Sequence, residues 1–145
     1  MTPIQQMLLG VGASKKTYMD DVFSTYLYTG NATARSINNG IDLSGEGGMT
    51  WIKGRSSGKD SKLSDTVRGV NSQLMSHSNS DVTTSTDVIT SFNNNGFTIG
   101  TNGEINQSGV THASWSFRKA PGFFTVCQWS GNATGGREIS HDLGS

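Results

Sequence analysis

The chain has 145 residues, of which glycine, serine, threonine and asparagine supply 66, and its formal net charge at neutral pH is zero. That balance removes the self-repulsion that keeps weakly hydrophobic chains unfolded, and a pI near 6.8 offers no electrostatic footprint for nucleic acid or an anionic membrane. Leucine, isoleucine, valine and phenylalanine number only 29, so the expectation is an ordered β-protein with a thin core that gains buried surface from partner chains.

In chain order, the first element is a leader unlike the rest. Ile4, Met7, Leu8 and Val11 fall at i, i+3, i+4 and i+7, one apolar face of a short helix, with Leu9 beside it and Lys15-Lys16 after the Gly10-Val11-Gly12 break. A helix this short does not hold in isolation. Residues 1–20 therefore read as a docking segment that folds against another protein, with Ile4, Met7, Leu8, Leu9, Val11, Lys15 and Lys16 as the docking residues; the alternative is a frayed terminus. No basic stretch precedes the apolar residues, and the run is too short to span a bilayer, so neither a signal peptide nor membrane insertion is expected.

From Asp20 the period changes to two. Val22 to Tyr28 predicts a strand, Thr29-Gly30-Asn31 a turn, and Ser36-Ile37 the next strand. Ile41-Asp42-Leu43 runs into a loop at Ser44 to Gly48, and Met49 to Lys53 alternates again. Arg55 to Ser61 reads as an exposed loop, Lys62 to Arg68 as a short strand, and Gly69 to Thr86 as a long irregular excursion. Val88 to Phe92 and Phe97 to Ile99 predict a hairpin, because Asn95-Gly96 supplies the positive φ of a tight turn. Thr111 to Arg118 predicts a strand with Ala113, Trp115 and Phe117 on one side and His112, Ser114, Ser116 and Arg118 on the other. Many short strands with closely spaced turns imply an all-β fold, a β-sandwich or jelly roll.

One stretch occurs twice. Phe23-Ser24-Thr25-Tyr26-Leu27-Tyr28-Thr29-Gly30-Asn31-Ala32-Thr33 returns position for position as Phe124-Thr125-Val126-Cys127-Gln128-Trp129-Ser130-Gly131-Asn132-Ala133-Thr134. Ser36-Ile37 is then echoed by Glu138-Ile139, and Ile41-Asp42-Leu43 by His141-Asp142-Leu143. The organisation read from this is a docking segment at 1–20, a first sandwich repeat at 21–120, and the start of a second, truncated repeat at 121–145. The expectation is the front end of a longer tandem-repeat protein.

The combination of Asp21 to Asn31, Gly40-Ile41-Asp42-Leu43, Trp51-Ile52-Lys53, Asp65-Thr66-Val67-Arg68-Gly69, Asn95-Gly96-Phe97-Thr98-Ile99-Gly100 and Trp115 to Phe124 resembles a β-sandwich repeat of tail fibre and virion proteins in marine bacteriophages, particularly those of cyanobacteria and their heterotrophic neighbours. The leader looks like the N-terminal part of such fibres in short-tailed phages. The resemblance implies a concanavalin A-like jelly roll and, by analogy alone, carbohydrate binding. It further implies a homotrimer in the virion, fixed to tail adaptor or nozzle proteins near its N-terminus and meeting a host surface receptor through distal parts.

No residues here are expected to carry catalysis, a metal or a cofactor. Asp60 and Asp65 are the nearest thing to a glycosidase carboxylate pair, but their surroundings favour solvated or turn-capping roles. His77, His112 and His141 lack acidic neighbours at metal-ligand spacing. Of the sequons at Asn31, Asn106 and Asn132, those at Asn31 and Asn132 occupy the equivalent turn of each repeat, which a turn requirement explains without any sugar. Cys127, in an alternating pattern, is expected to be a buried apolar side chain. Trp51, Trp115, Trp129, Tyr26 and Tyr28 read as core or interchain rings by default, with an exposed aromatic pair as the requirement for a lectin site.

Overall fold

The computed structural model describes residues 16–144. A short helix, α1 (Met19–Val22), leads into β1 (Phe23–Thr29), β2 (Arg35–Asn38), β3 (Gly48–Gly54), β4 (Lys62–Asp65), β5 (Ser72–Met75), β6 (Thr83–Thr84), β7 (Ile89–Asn93) and β8 (Gly96–Ile99). A second short helix, α2 (Gly103–Asn106), precedes β9 (Thr111–Arg118). The strands form an antiparallel six-stranded sheet in the order β1-β9-β3-β4-β5-β6 and a three-stranded sheet in the order β2-β8-β7. The fold is thus the expected all-β sandwich.

The two sheets fill the space between them unequally. Ile37, Ile89, Phe97 and Ile99 of the small sheet and Ile41, Leu43, Val88 and Ile105 of the connections supply most of the buried apolar bulk. The large sheet answers with Tyr28, Ile52, His112 and Gln73 and with the smaller polar residues Thr50, Ser64, Ser114 and Ser116, all buried. Large side chains from one layer against small ones from the other is how a thin sandwich reaches crystalline density. The alternation of β3 and β9 then forces Trp51, Trp115 and Phe117 onto the outer face of the large sheet.

The β9 strand has the predicted limits and the predicted two faces, but the buried face is the polar one. Ser116 Oγ accepts a hydrogen bond from Asn39 Nδ2 at 2.8 Å, and His112 Nδ1 lies 3.0 Å from the Val110 carbonyl. The strand expected over Lys62 to Arg68 ends at Asp65, whose carboxylate accepts from the backbone of Val67 and Arg68 and turns the chain; Val67 is consequently exposed. The excursion of Gly69 to Thr86 contains β5 and β6, paired through Gln73↔Thr83. Gln73 is fully buried and its Nε2 donates to the Val70 and Ser85 carbonyls, so a polar side chain anchors a strand that has no apolar period.

Candidate functional site

Most of the docking residues expected from the sequence, Ile4, Met7, Leu8, Leu9, Val11 and Lys15, lie outside the described residues. Lys16 is exposed and lines a cleft of about 190 Å³ with Asp21, Glu46, Arg118 and Lys119. The cleft marks the pole of the sandwich where the chain both arrives and departs, because β1 and β9 are antiparallel and Phe23 is the register partner of Phe117.

That pole is an aromatic joint. The Phe117 ring lies 5.1 Å from Phe23 and 5.3 Å from Phe124, so the first residues of both copies of the repeated stretch pack on one side chain. Ala120 and Phe124 form a backbone bridge just beyond β9. Lys119 pairs with Asp142, which draws the end of the described chain back onto the joint. The Asp142 hydrogen bond raises the Lys119 ammonium above its ordinary range, and Lys119 in turn holds the Asp142 carboxyl low.

The outer face of the large sheet carries two tryptophan rings, Trp51 exposed and Trp115 half-buried. Trp51 and Trp115 are direct register partners, with ring centroids 5.2 Å apart and a 46° tilt. Trp51 is 36 % exposed, and Leu63 and Thr25 continue the same row on β4 and β1. Of the rings singled out from the sequence, only Tyr28 belongs to the core: its hydroxyl donates to the Ile105 carbonyl at 2.7 Å, its ring stacks on His112, and burial pushes its pKa up.

The repeated stretch has the same local shape in both places. Ala32 and Ala133 both take φ of 57°, a conformation unusual for alanine. Asn31 Oδ1 accepts from Thr33 N at 2.9 Å, and Asn132 Oδ1 accepts from Thr134 N at 3.1 Å. Arg35 donates to the Thr29 carbonyl, as Arg137 does to that of Ser130. These turns account for two of the three sequons. The third residue, Asn106, is fully buried; its Nδ2 donates to Thr33 O and Gly100 O, and its Oδ1 accepts from Asn31 N. Sequence reasoning missed this hub, since only the turn-like Asn-Gln-Ser spacing marks it.

The surroundings of the two copies differ. The first copy is β1, paired along its length with β9. The second copy pairs with no strand among the described residues, and Trp129, at the position of Tyr28, is 58 % exposed. Cys127 is half-exposed and its Sγ donates to the Ser140 carbonyl, so the buried role expected for it is incorrect in this chain; a strand pattern buries a side chain only when a second strand is present to cover it.

Asp65 is committed to its turn and to Arg68, while Asp60 faces His77 Nε2 at 3.1 Å and Lys62 at 4.0 Å. Among the described residues no three of His, Cys, Asp and Glu gather as a metal ion would require, and no helix is long and apolar enough to cross a membrane.

A family model described as "Domain of unknown function (DUF7483)" matches residues 19–145, and the chain belongs to that family. No curated protein and no solved structure matches it.

Proposed function

We propose that this member of the DUF7483 family is a structural attachment protein, the tail-proximal part of a bacteriophage tail fibre. In this reading residues 1–20 dock to the tail adaptor or nozzle, three copies associate, and the sandwich leads to distal repeats that meet the host receptor. The protein resides in the virion and performs no chemical step. The observation that carries the reading is the return of the β1 stretch at 124–134 with both its sequence and its turn geometry, which supports tandem units. Uncovered rings on the outer face of the large sheet support association, since aromatic residues concentrate at the buried centres of interfaces. Three anchored segments bind together with an avidity that no single one has. Deletion of residues 1–19 is expected to leave folded trimers that fail to decorate phage particles; intact decoration by that variant would overturn the reading.

A second reading, a carbohydrate-binding module, is favoured by one observation, the pair formed by the exposed Trp51 and the half-buried Trp115. The two readings make competing use of one face. Trp51→Ala that lowers the oligomeric state supports fibre packing, whereas a variant that stays trimeric but loses signal on a glycan array supports the lectin.

A further inference from the structure

The large sheet turns its more apolar face outward. On the inner face one ladder row reads Ser24, Ser116, Thr50, Ser64 and Gln73, whereas the adjoining row on the outer face reads Thr25, Trp115, Trp51, Leu63 and Leu74. Thr50 Oγ1, Ser64 Oγ and Gln73 Oε1 are buried without a hydrogen-bond partner among the described residues, while every side chain of the outer row keeps contact with solvent. The sheet therefore bears the cost of burying polar atoms on one side and leaves its large apolar groups uncovered on the other.

This outer face is also electrically quiet. The two charged residues that its strands place there are answered within the chain, Lys53 by the Lys59 carbonyl and Asp65 by Arg68. A copy of the same face meets no like charge.

The profile of the row suits three copies. At its level β5 is the outermost strand, because β6 pairs only with Ser72 and Gln73. Trp51 then lies on the middle strand of five, flanked by Trp115 and Leu63, with Thr25 and Leu74 at the ends. Five strands span about 19 Å, so three such sheets closed edge to edge stand about 6 Å from a common axis at mid-sheet and converge at the corners. Large rings fit the middle of that space and smaller side chains its margins. Two copies stacked face to face would instead stand about 10 Å apart across the whole width, and the tryptophan pairs would hold their margins open.

We propose that the outer face of the large sheet is the inner wall of the trimer, with the axis along the strands. Trp51 and Trp115 of three copies fill its centre, and Thr25 of each copy lies beside Leu74 of the next. The inference rests on the trimeric reading above and assigns that trimer its contact surface.

The contact between unlike margins makes the arrangement testable, because such contacts close into a ring. The full chain carrying Cys127→Ser, Thr25→Cys and Leu74→Cys, oxidised with diamide, is expected to become a covalent three-chain species. Positions 25 and 74 of one chain are four strands apart, too far for a bond within it, so a 25–74 disulfide mapped by peptide mass spectrometry joins two copies. Adding Trp51→Lys gathers three ammonium groups at the axis and is expected to abolish the linkage and leave monomers with unchanged far-UV circular dichroism, since the ring lies outside the core. Thr90→Lys, exposed on the small sheet, is expected to leave the linkage intact. Two-chain products as the end point, linkage that survives Trp51→Lys, or trimers by sedimentation that never form the 25–74 bond would each overturn the placement. The last of these leaves the trimeric reading standing, whereas a chain that sediments only as a monomer removes both. Decoration by the 1–19 deletion reads anchoring separately.

Discussion

The stretches 23–33 and 124–134 are one design in two environments. Both close the same asparagine turn with an alanine at positive φ, and both hold an arginine on the carbonyl before the turn. Only the first is a strand, has a buried ring and crowds its glycine. Turn geometry is therefore a local property of the eleven residues, while strand character and burial come from β9 and Asn106.

Paired substitutions break this comparison with graded force. Tyr28→Ala is expected to destabilise the fold by about 4 kcal/mol in urea unfolding, since it removes a buried ring and leaves the Ile105 carbonyl without its donor, whereas Trp129→Ala changes stability by less than about 0.5 kcal/mol. Gly30→Val is expected to cost about 3 kcal/mol through its clash with the Gln107 backbone, and Gly131→Val nothing measurable in the same assay. Asn31→Ala and Asn132→Ala sharpen the contrast from the other side. Both open the local turn, but only the first acts on the folding equilibrium, by about 1 kcal/mol.

Acid gives the smallest effect and the one most specific to the first copy. Burial lowers the His112 pKa below its ordinary 6.5, opposed by the Val110 carbonyl beside Nδ1 and reinforced by the charges of Lys59 and Arg35. Below that ordinary value the unfolded chain takes up a proton that the folded chain resists, so this stability is full above pH 6.5 and declines as the pH falls beneath it. The melting temperature is expected to decline from pH 7 to 5, and His112→Phe is expected to flatten the decline.

Most of the sandwich is legible in the sequence because β1, β3, β7, β8 and β9 alternate or end in unmistakable turns. The β5 and β6 strands are not legible, because Gln73 and threonine hydroxyls hold them in place of an apolar stripe. The sidedness of β9 misleads for a related reason. Which face is buried depends on the volume contributed by the opposite sheet, and opposite Phe97 and its isoleucine neighbours β9 turns inward Ser114, Ser116 and the ring of His112 rather than its tryptophan and phenylalanine. Of the expected docking residues, Lys16 alone lies among those described, so the leader's role rests on its apolar spacing and the resemblance.

Because β1 begins beside the end of β9, the sandwich is closed off at one pole by a single short doorway. A module with neighbouring ends can be copied, deleted or exchanged by recombination at that doorway without refolding what lies on either side. Phe23 and Phe124 sharing Phe117 then mark the seam between the sandwich and the stretch that follows it.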